Sequence, residues 1–384
     1  MKIAIIGGGA SGLFCAINIK LKLKEQVEVA ILERQNRVGK KILVTGNGKC
    51  NLTNFNLSYK DYNTSFVEEA LKGFSPQDCI EYFKAIGIMT RQDSEGRVYP
   101  YSEKANSVLD RFLSLLDELD IKVITDYEVS HIKRTDKFLV YSKDYRVYNF
   151  DFLVMATGGK SAVNFDNDSY QLLKEFNHKV TSFAPGLVAL KSDANLKPLS
   201  GLRIKAKAKI IEKGKVLAET VGEILFKDNG LSGIAIFELS RFYKPNCTVV
   251  LDIAYDKTDE ELTNFLSGDL ENRLNGLFPK MISLDILRRN KGNVLDVIRN
   301  YDFNIIGTYD YNNAQVTIGG IDYHDINPFT YESLLVKDLY VIGEALNVDG
   351  ACGGFNLHFA WASAYSSSND IIEKIIHRKG ENEN

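Results

Sequence analysis

Four apolar residues, Ile3 to Ile6, run without interruption into a glycine-rich stretch at 7–12, and from 13 to 24 the apolar positions include Leu13, Ala16, Ile17, Ile19, Leu21 and Leu23. That spacing predicts a helix, and the apolar run VEVAIL at 27–32 predicts a second strand. A strand, a tight turn, a helix and a strand within the first 33 residues are the expected opening of a parallel sheet, because parallel neighbours need a crossover between them. Helical spacing returns at 76–86 and 104–119, while 121–150 alternates in the manner of a β-meander. DFLVMATGG at 151–159 predicts a buried strand ending in a glycine turn, and 203–226 and 247–254 predict further strands. The stretch 257–300 is charged, Leu-rich and helical in period. Strand character resumes in AQVTIGGI (314–321) and LYVIGEAL (339–346), and a last helix is expected from about 356 to 376. The tail RKGENEN carries no apolar anchor and is expected to fray.

A chain of 384 residues exceeds one ordinary core, so two or three domains are expected, one of them free to be discontinuous. The net charge of −3 offers no electrostatic footprint for a phosphate backbone and weighs against a nucleic acid partner. Five scattered cysteines, Cys15, Cys50, Cys79, Cys247 and Cys352, form no CxxC and no ligand pattern with histidine, which argues against a metal site or a disulfide framework. The first apolar run is too short for a signal-peptide core, and no run approaches the ~18 residues of a membrane span, so a cytoplasmic protein without a membrane partner is expected.

The chemistry begins at GGGASG. Gly7, Gly9 and Gly12 form GxGxxG directly after a strand and directly before a helix, with Ala10 and Ser11 between them. The first glycine allows a tight turn, the second lets backbone approach a pyrophosphate, and the third lets the helix pack on the strand. The helix start then offers free N–H groups and a partial positive charge to the anion. Glu33 ends the second strand 21 residues after Gly12, where a carboxylate accepts ribose hydroxyls, and Arg34 follows it.

A first βαβ unit does not choose between NAD and FAD, but three later segments do. GKKILVTGNGKCNLTN (39–54) supplies many backbone donors and small residues for a long, flat ligand, with Lys40 and Lys41 for phosphate and Thr45, Gly46, Asn47, Cys50 and Asn51 for a ring. ATGG (Ala156, Thr157, Gly158, Gly159) closes a strand where backbone meets the adenosine half. GEALNVDGACGGFNLHFAWASA (343–364) places Gly343, Glu344 and Asp349 before Gly354, Phe355, Asn356 and Leu357 at the entry of a helix. A positive helix end suits a flavin, whose reduced form is negative near N1 and O2. FAD is therefore the expected cofactor.

GGGASG, GKKILVTGNGKCNLTN and GEALNVDGACGGFNLHFAWASA, with GRVYPYSEKANSVLDRF (96–112), HKVTSFAPGLVAL (178–190), GEILFKDNGLSGIAIFELS (222–240) and AQVTIGGI, resemble the HI0933-like (YhiN/BaiN-like) FAD-dependent flavoproteins, also described as aminoacetone-oxidase-like FAD-binding enzymes. The resemblance implies an α/β fold: a Rossmann-type FAD domain with a parallel sheet (1–188 and 316–384), split by a β-barrel-like insertion (189–256 and 301–315) and a small helical bundle (257–300). It implies that Gly7, Gly9, Gly12 and Glu33 hold the ADP half, with Asn51, Gly343, Glu344, Gly354, Asn356 and Leu357 along the ribityl chain and ring. Two departures stand out: KDNG at 227–230 replaces a Thr-His-x-Gly stretch, and residues 363–370 of the last helix lack the small glycine-containing steps of relatives.

Candidates for catalysis are His358 on the first turn of that helix, Tyr99 and Tyr101, and a Cys50–Cys352 dithiol; for each of them packing is the favoured reading, and Trp361 is expected in the core. No second GxGxxG follows a strand, so the electrons are expected from NAD(P)H bound transiently in the substrate cleft, from the substrate itself with oxygen as acceptor, or from another protein. The expected function is hydride transfer between flavin N5 and a small organic substrate, by reduction of C=C or C=O or by oxidation of an amine, the insertion acting as a cap that excludes water. The alternatives are a non-catalytic FAD sensor that binds a partner, and flavin-dependent RNA modification. Oligomeric state is open.

Overall fold

The computed structural model describes residues 1–161 and 168–382. The chain divides into two compact units, Met1–Ala184 with Val316–Asn384, and Pro185–Gln315.

The first unit is built on a five-stranded sheet. β1 (Lys2–Ile6) is flanked by β2 (Glu28–Leu32) and β10 (Phe152–Met155); β6 (Lys122–Ile124) extends one edge and Leu339–Val341 the other. All four pairings are parallel. Ile3, Ile5, Phe152, Val154, Leu339 and Val341 are fully buried, which accounts for unbroken apolar runs where a half-exposed strand would alternate. The meander is shorter than the alternation suggests. Its antiparallel strands are β7 (Val129–Arg134), β8 (Phe138–Ser142) and β9 (Val147–Phe150), whereas β6 pairs in parallel with β2 through Ala30, Ile31 and Leu32. Two further strands, β4 (Thr90–Gln92) and β5 (Arg97–Pro100), form an antiparallel ribbon with β3 (Thr53–Asn54).

Helix α1 (Ala10–Leu23) starts inside the glycine stretch, three residues earlier than its apolar spacing indicates, because its first buried positions are Ser11 and Gly12, which leave no apolar mark in the sequence. The terminal helix, Phe355–Asn382, packs along α1. Where glycine steps are missing, serine and alanine give the close approach: Asn18 donates to Ser368 Oγ at 2.7 Å, the Gly343 N–H donates to Ser363 Oγ at 3.0 Å, and Ser363, Ala364, Ser367 and Ser368 are fully buried. This helix runs beyond the expected end. Arg378 donates to Asp338 at 2.7 Å and lies over the Phe152 ring, an anchor that an apolar count does not register. Of the tail expected to fray, Glu383 and Asn384 lie outside the described residues.

The second unit is a closed six-stranded antiparallel barrel, in the order Leu190–Ser192, Gly230–Ser232, Lys215–Lys227, Arg203–Glu212, Cys247–Asp252, Tyr301–Thr308 and back to the first. Ala206, Ala208, Ile210, Val249, Leu251 and Phe303 point inward in alternation. Four short helices, Asp259–Leu266, Leu270–Leu277, Lys280–Arg289 and Val294–Arg299, occupy the charged Leu-rich stretch, and their buried Leu262, Leu274, Ile282, Ile286 and Ile298 join the barrel's own core. The KDNG segment is the hairpin tip between Lys215–Lys227 and Gly230–Ser232.

Trp361, the only tryptophan, is fully buried among Phe14, Phe83 and Phe112, with ring centroids 5.4 to 5.9 Å away, and its indole N–H donates to the Leu52 carbonyl at 3.1 Å. Trp361→Ala is expected to cost about 3–5 kcal/mol, measured as the shift of the urea midpoint at unchanged m.

Candidate functional site

β1 delivers the chain to Gly7, whose φ of +107° closes the turn. A Cβ at Gly7 would stand 2.3 Å from the Ala156 carbonyl, and one at Gly12 would stand 2.0 Å from the Gly7 carbonyl. These are backbone approaches that only glycine allows. At Gly9 the opposite holds: among the described residues nothing lies within 4 Å of where its Cβ would be, so they leave that face open. Gly9 is the N-cap of α1, and no acidic side chain sits in the first turn to compete for its positive end. Ala10 is half-buried and Ser11 buried.

Glu33 closes β2 at the same place. Its Oε2 accepts the Gly8 N–H and its Oε1 the Gln35 N–H, both at 2.8 Å. A cavity of about 290 Å³ opens here, lined by Gly7 to Gly9, Glu33, Lys41, Tyr127 and the Ala156–Gly159 turn. Arg34 and Lys40 also border it, with Arg34 3.8 Å from Glu128. Gly8 and Tyr127 are not legible as site residues; the middle glycine of GGG is the available signal for the first, and none points to the second.

Lys41 and Glu344 make a part-buried ion pair at 2.5 Å. Glu344 also accepts the Ser161 hydroxyl at 3.0 Å, the Thr317 N–H at 2.8 Å and the Gly159 N–H at 3.3 Å, and Lys41 donates to Ser161 Oγ at 2.9 Å. Three segments far apart in sequence thus converge on a carboxylate carried by a fourth. Thr317, which the sequence gives only within AQVTIGGI, further accepts the N–H groups of Lys160 and Ser161 on its hydroxyl.

The stretch after β2 forms helical turns over Ile42–Gly48, broken where Gly46 and Asn47 take left-handed φ of 55° and 54°. Thr45 Oγ1 is spent on the Ile42 carbonyl. Asn51 is 6% exposed, and among the described residues its side-chain Oδ1 accepts no hydrogen bond. That orphan faces the entry of the terminal helix: a Cβ on Gly354, whose φ is +104°, would stand 2.9 Å from Asn51 Oδ1 and 2.7 Å from the Thr53 carbonyl. Asn356 does not reach outward, because its side chain is used on Gly350 N–H and on the Gly350 and Ala351 carbonyls. Phe355 is buried against Tyr62, Leu357 is half-buried, and Asp349 is held by backbone bonds with Asn63.

A model of the HI0933-like protein Rossmann domain matches residues 1–370. The chain belongs to the HI0933-like family. A 3-dehydro-bile acid delta(4,6)-reductase of Clostridium scindens is 31% identical, over 97% of this chain and 99% of its own. A ribosomal RNA dihydrouridine synthase of Haemophilus influenzae is 30% identical, over 96% and 97%. Among solved structures, a 3-ketosteroid delta1-dehydrogenase of Sterolibacterium denitrificans shares the fold, with a TM-score of 0.53 at 10% identity over 97% of this chain and 99% of that one. As an HI0933-like protein the chain is an enzyme, a flavin-dependent oxidoreductase.

The residues fit that cofactor: a glycine turn with an open face at Gly9, a carboxylate-lined cavity beside it, and a buried acceptor at Asn51 without a donor among the described residues. They do not support all the catalytic candidates. His358 is fully buried, its Nε2 2.9 Å from the Phe74 carbonyl and its Nδ1 2.8 Å from Thr53 Oγ1. A carbonyl only accepts, so Nε2 carries the proton and Nδ1 accepts from the hydroxyl, which leaves neither nitrogen for substrate. Cys50 is fully buried and its thiol is pushed up to about 12, so it provides no thiolate for a dithiol shuttle with the half-buried Cys352. Tyr99 retains partial exposure, with Lys49 Nζ 5.9 Å from its ring centroid.

Burial depresses His358 from 6.5 to about 4. The stability this represents is whole above pH 6.5 and is lost as pH falls from 6.5 towards about 4, where the unfolded chain takes up a proton that the folded one refuses. At ~1.4 kcal/mol per unit the full loss is about 3 kcal/mol. His358→Gln is expected to flatten this part of the profile, read as the difference in urea midpoints between variant and parent at pH 7 and pH 4.5.

Proposed function

We propose that this enzyme reduces a carbon–carbon double bond conjugated to a carbonyl, with FAD as cofactor and NAD(P)H as electron donor. What carries the reading is the pair of relatives, whose names describe dissimilar molecules and one chemistry. A 3-oxo steroid with a 4,6-diene and a uracil ring each present C=C beside C=O, so a hydride adds at the β carbon and a proton at the α carbon. When bound, FAD supplies the hydride from its reduced ring.

The chain's own groups bind, orient and supply the proton. The Gly7–Gly12 turn and the start of α1 hold the diphosphate, Glu33 the ribose, and Lys41, paired to Glu344, lends its charge beside them. Thr45 to Asn51 and the Gly354 helix entry would line the ring, and the helix's positive end there would favour a negatively charged group. Tyr99, on β5 beside the Thr53–Val98 pair, is the donor to the α carbon; like any phenol its hydroxyl is protonated at neutral pH, and desolvation raises it further.

The whole-chain charge of −3 does not speak against an RNA substrate, since phosphate contacts depend on local charge. Among the described residues no helix is long and apolar enough to cross a membrane, and five free cysteines suit a reducing cytoplasm.

The test is anaerobic. NADPH or NADH is expected to bleach the flavin of the purified protein, and a 3-oxo-4-ene steroid or uridine-containing RNA to restore its colour. Bleaching by a primary amine in place of NAD(P)H would reassign the enzyme to amine oxidation, and a flavin that no reductant reaches would contradict catalysis altogether.

A further inference from the structure

We infer that a concavity beside the Ile42–Gly48 turns is a docking surface for single-stranded RNA. The inference rests on the reductase reading and names the carrier of its double bond, a uracil ring within a polynucleotide. The concavity, about 390 Å³, is walled on one side by Asn47 to Lys49 and on the other by Arg91 of β4 and the Tyr101–Lys104 turn that follows β5.

Its charge is the first observation. Lys49, Arg91 and Lys104 supply three cations against one carboxylate, Glu103, which bonds Lys49 at 2.7 Å and Arg91 at 3.3 Å. A local surplus of two positive charges on a chain of net −3 is a concentration, not an average. The second is aromatic. Tyr101 is 61% exposed, and the Arg91 guanidinium lies over its ring at 4.1 Å from the centroid. The next tyrosine along, Tyr99, has Lys49 5.9 Å from its own centroid. Cations set against tyrosine rings, one ring largely open to water, combine what single strands require: a flat apolar face for a base and ammonium or guanidinium groups for the phosphates on either side of it. A steroid would need apolar walls, and this concavity is lined mainly by charged and polar groups. The wall at Asn47 to Lys49 belongs to the same loop that ends at Asn51, so a strand seated here lies next to the segment assigned to the flavin ring.

The experiment measures binding of a labelled single-stranded, uridine-rich RNA to the FAD-loaded protein by fluorescence anisotropy from low to moderate salt. Arg91→Glu/Lys104→Glu is expected to weaken binding at least tenfold and to flatten the slope of log K against log salt by about 1.4, at ~0.7 for each lost phosphate contact. Tyr101→Ala is expected to weaken it about fivefold or more, as for loss of one stacked base. Lys133→Glu, an exposed reversal on β7, should bind like the parent. All four changed residues are surface positions, and the flavin spectrum of each variant reports an intact fold. The inference is overturned if the parent binds no RNA, or if the double variant binds as tightly as the parent. Reduction of a small enone by the parent is measured alongside. With enone reduction present and RNA binding absent, the docking surface falls and the reductase reading stands; with patch-dependent RNA binding present and no reduction of any enone or uridine, the surface stands and the reductase reading falls.

Discussion

Two backbone approaches that tolerate no side chain govern the first unit. The Gly7 turn runs against the Ala156 carbonyl and Gly12 runs against the Gly7 carbonyl, each at a separation where a Cβ would overlap an oxygen. Because β1 and β10 are neighbours in the sheet, this contact sets how the two strand ends, and the glycine turns that follow them, border a single cavity. Open space at Gly9 is the complement of that crowding: the chain is tight where it meets itself and empty where a ligand must pass.

Charge is then arranged around the gap. One carboxylate, Glu33, is fixed by two backbone N–H groups; the other, Glu344, is fixed by Lys41, Ser161 and the backbone of Thr317. The second arrangement is costly to leave half-made, since a part-buried carboxylate without its cation loses more than the pair gains. It therefore acts as a clasp. It joins the loop after β2, the turn after β10 and two segments from the C-terminal third, and so helps to build one Rossmann-type unit from both ends of the chain.

Much of this was legible in the sequence, for identifiable reasons. The turn chemistry of GGGASG and the apolar runs around it report local geometry, and local geometry is what short-range patterns encode. The terminal helix was placed correctly at its start and misjudged at its end, because Arg378 is anchored by Asp338, a residue 40 positions away. The alternation of β6 matches the meander that follows it and carries no sign of its parallel partner in β2. His358 and Cys50 were drawn towards chemistry by their neighbours in the sequence, yet both turn into the core, and no pattern in a single chain distinguishes a histidine facing a cavity from one satisfied by Thr53 and Phe74. Ser161 and Thr317 were invisible as partners of Glu344 for the same reason: the contact is made in space, between stretches that share no period.

The central claim is that the glycine turn near one end of the chain and the glycine-led helix near the other serve the same FAD. The most direct measurement is titration of the flavin-free protein with FAD, followed by quenching of flavin fluorescence and by the visible absorption that stays with the protein through gel filtration. The account requires saturable uptake at one FAD per chain, abolished by Gly354→Val while Glu33→Gln only weakens it. A folded protein that remains colourless at saturating FAD, or one that binds it equally well with Gly354 replaced, would contradict it.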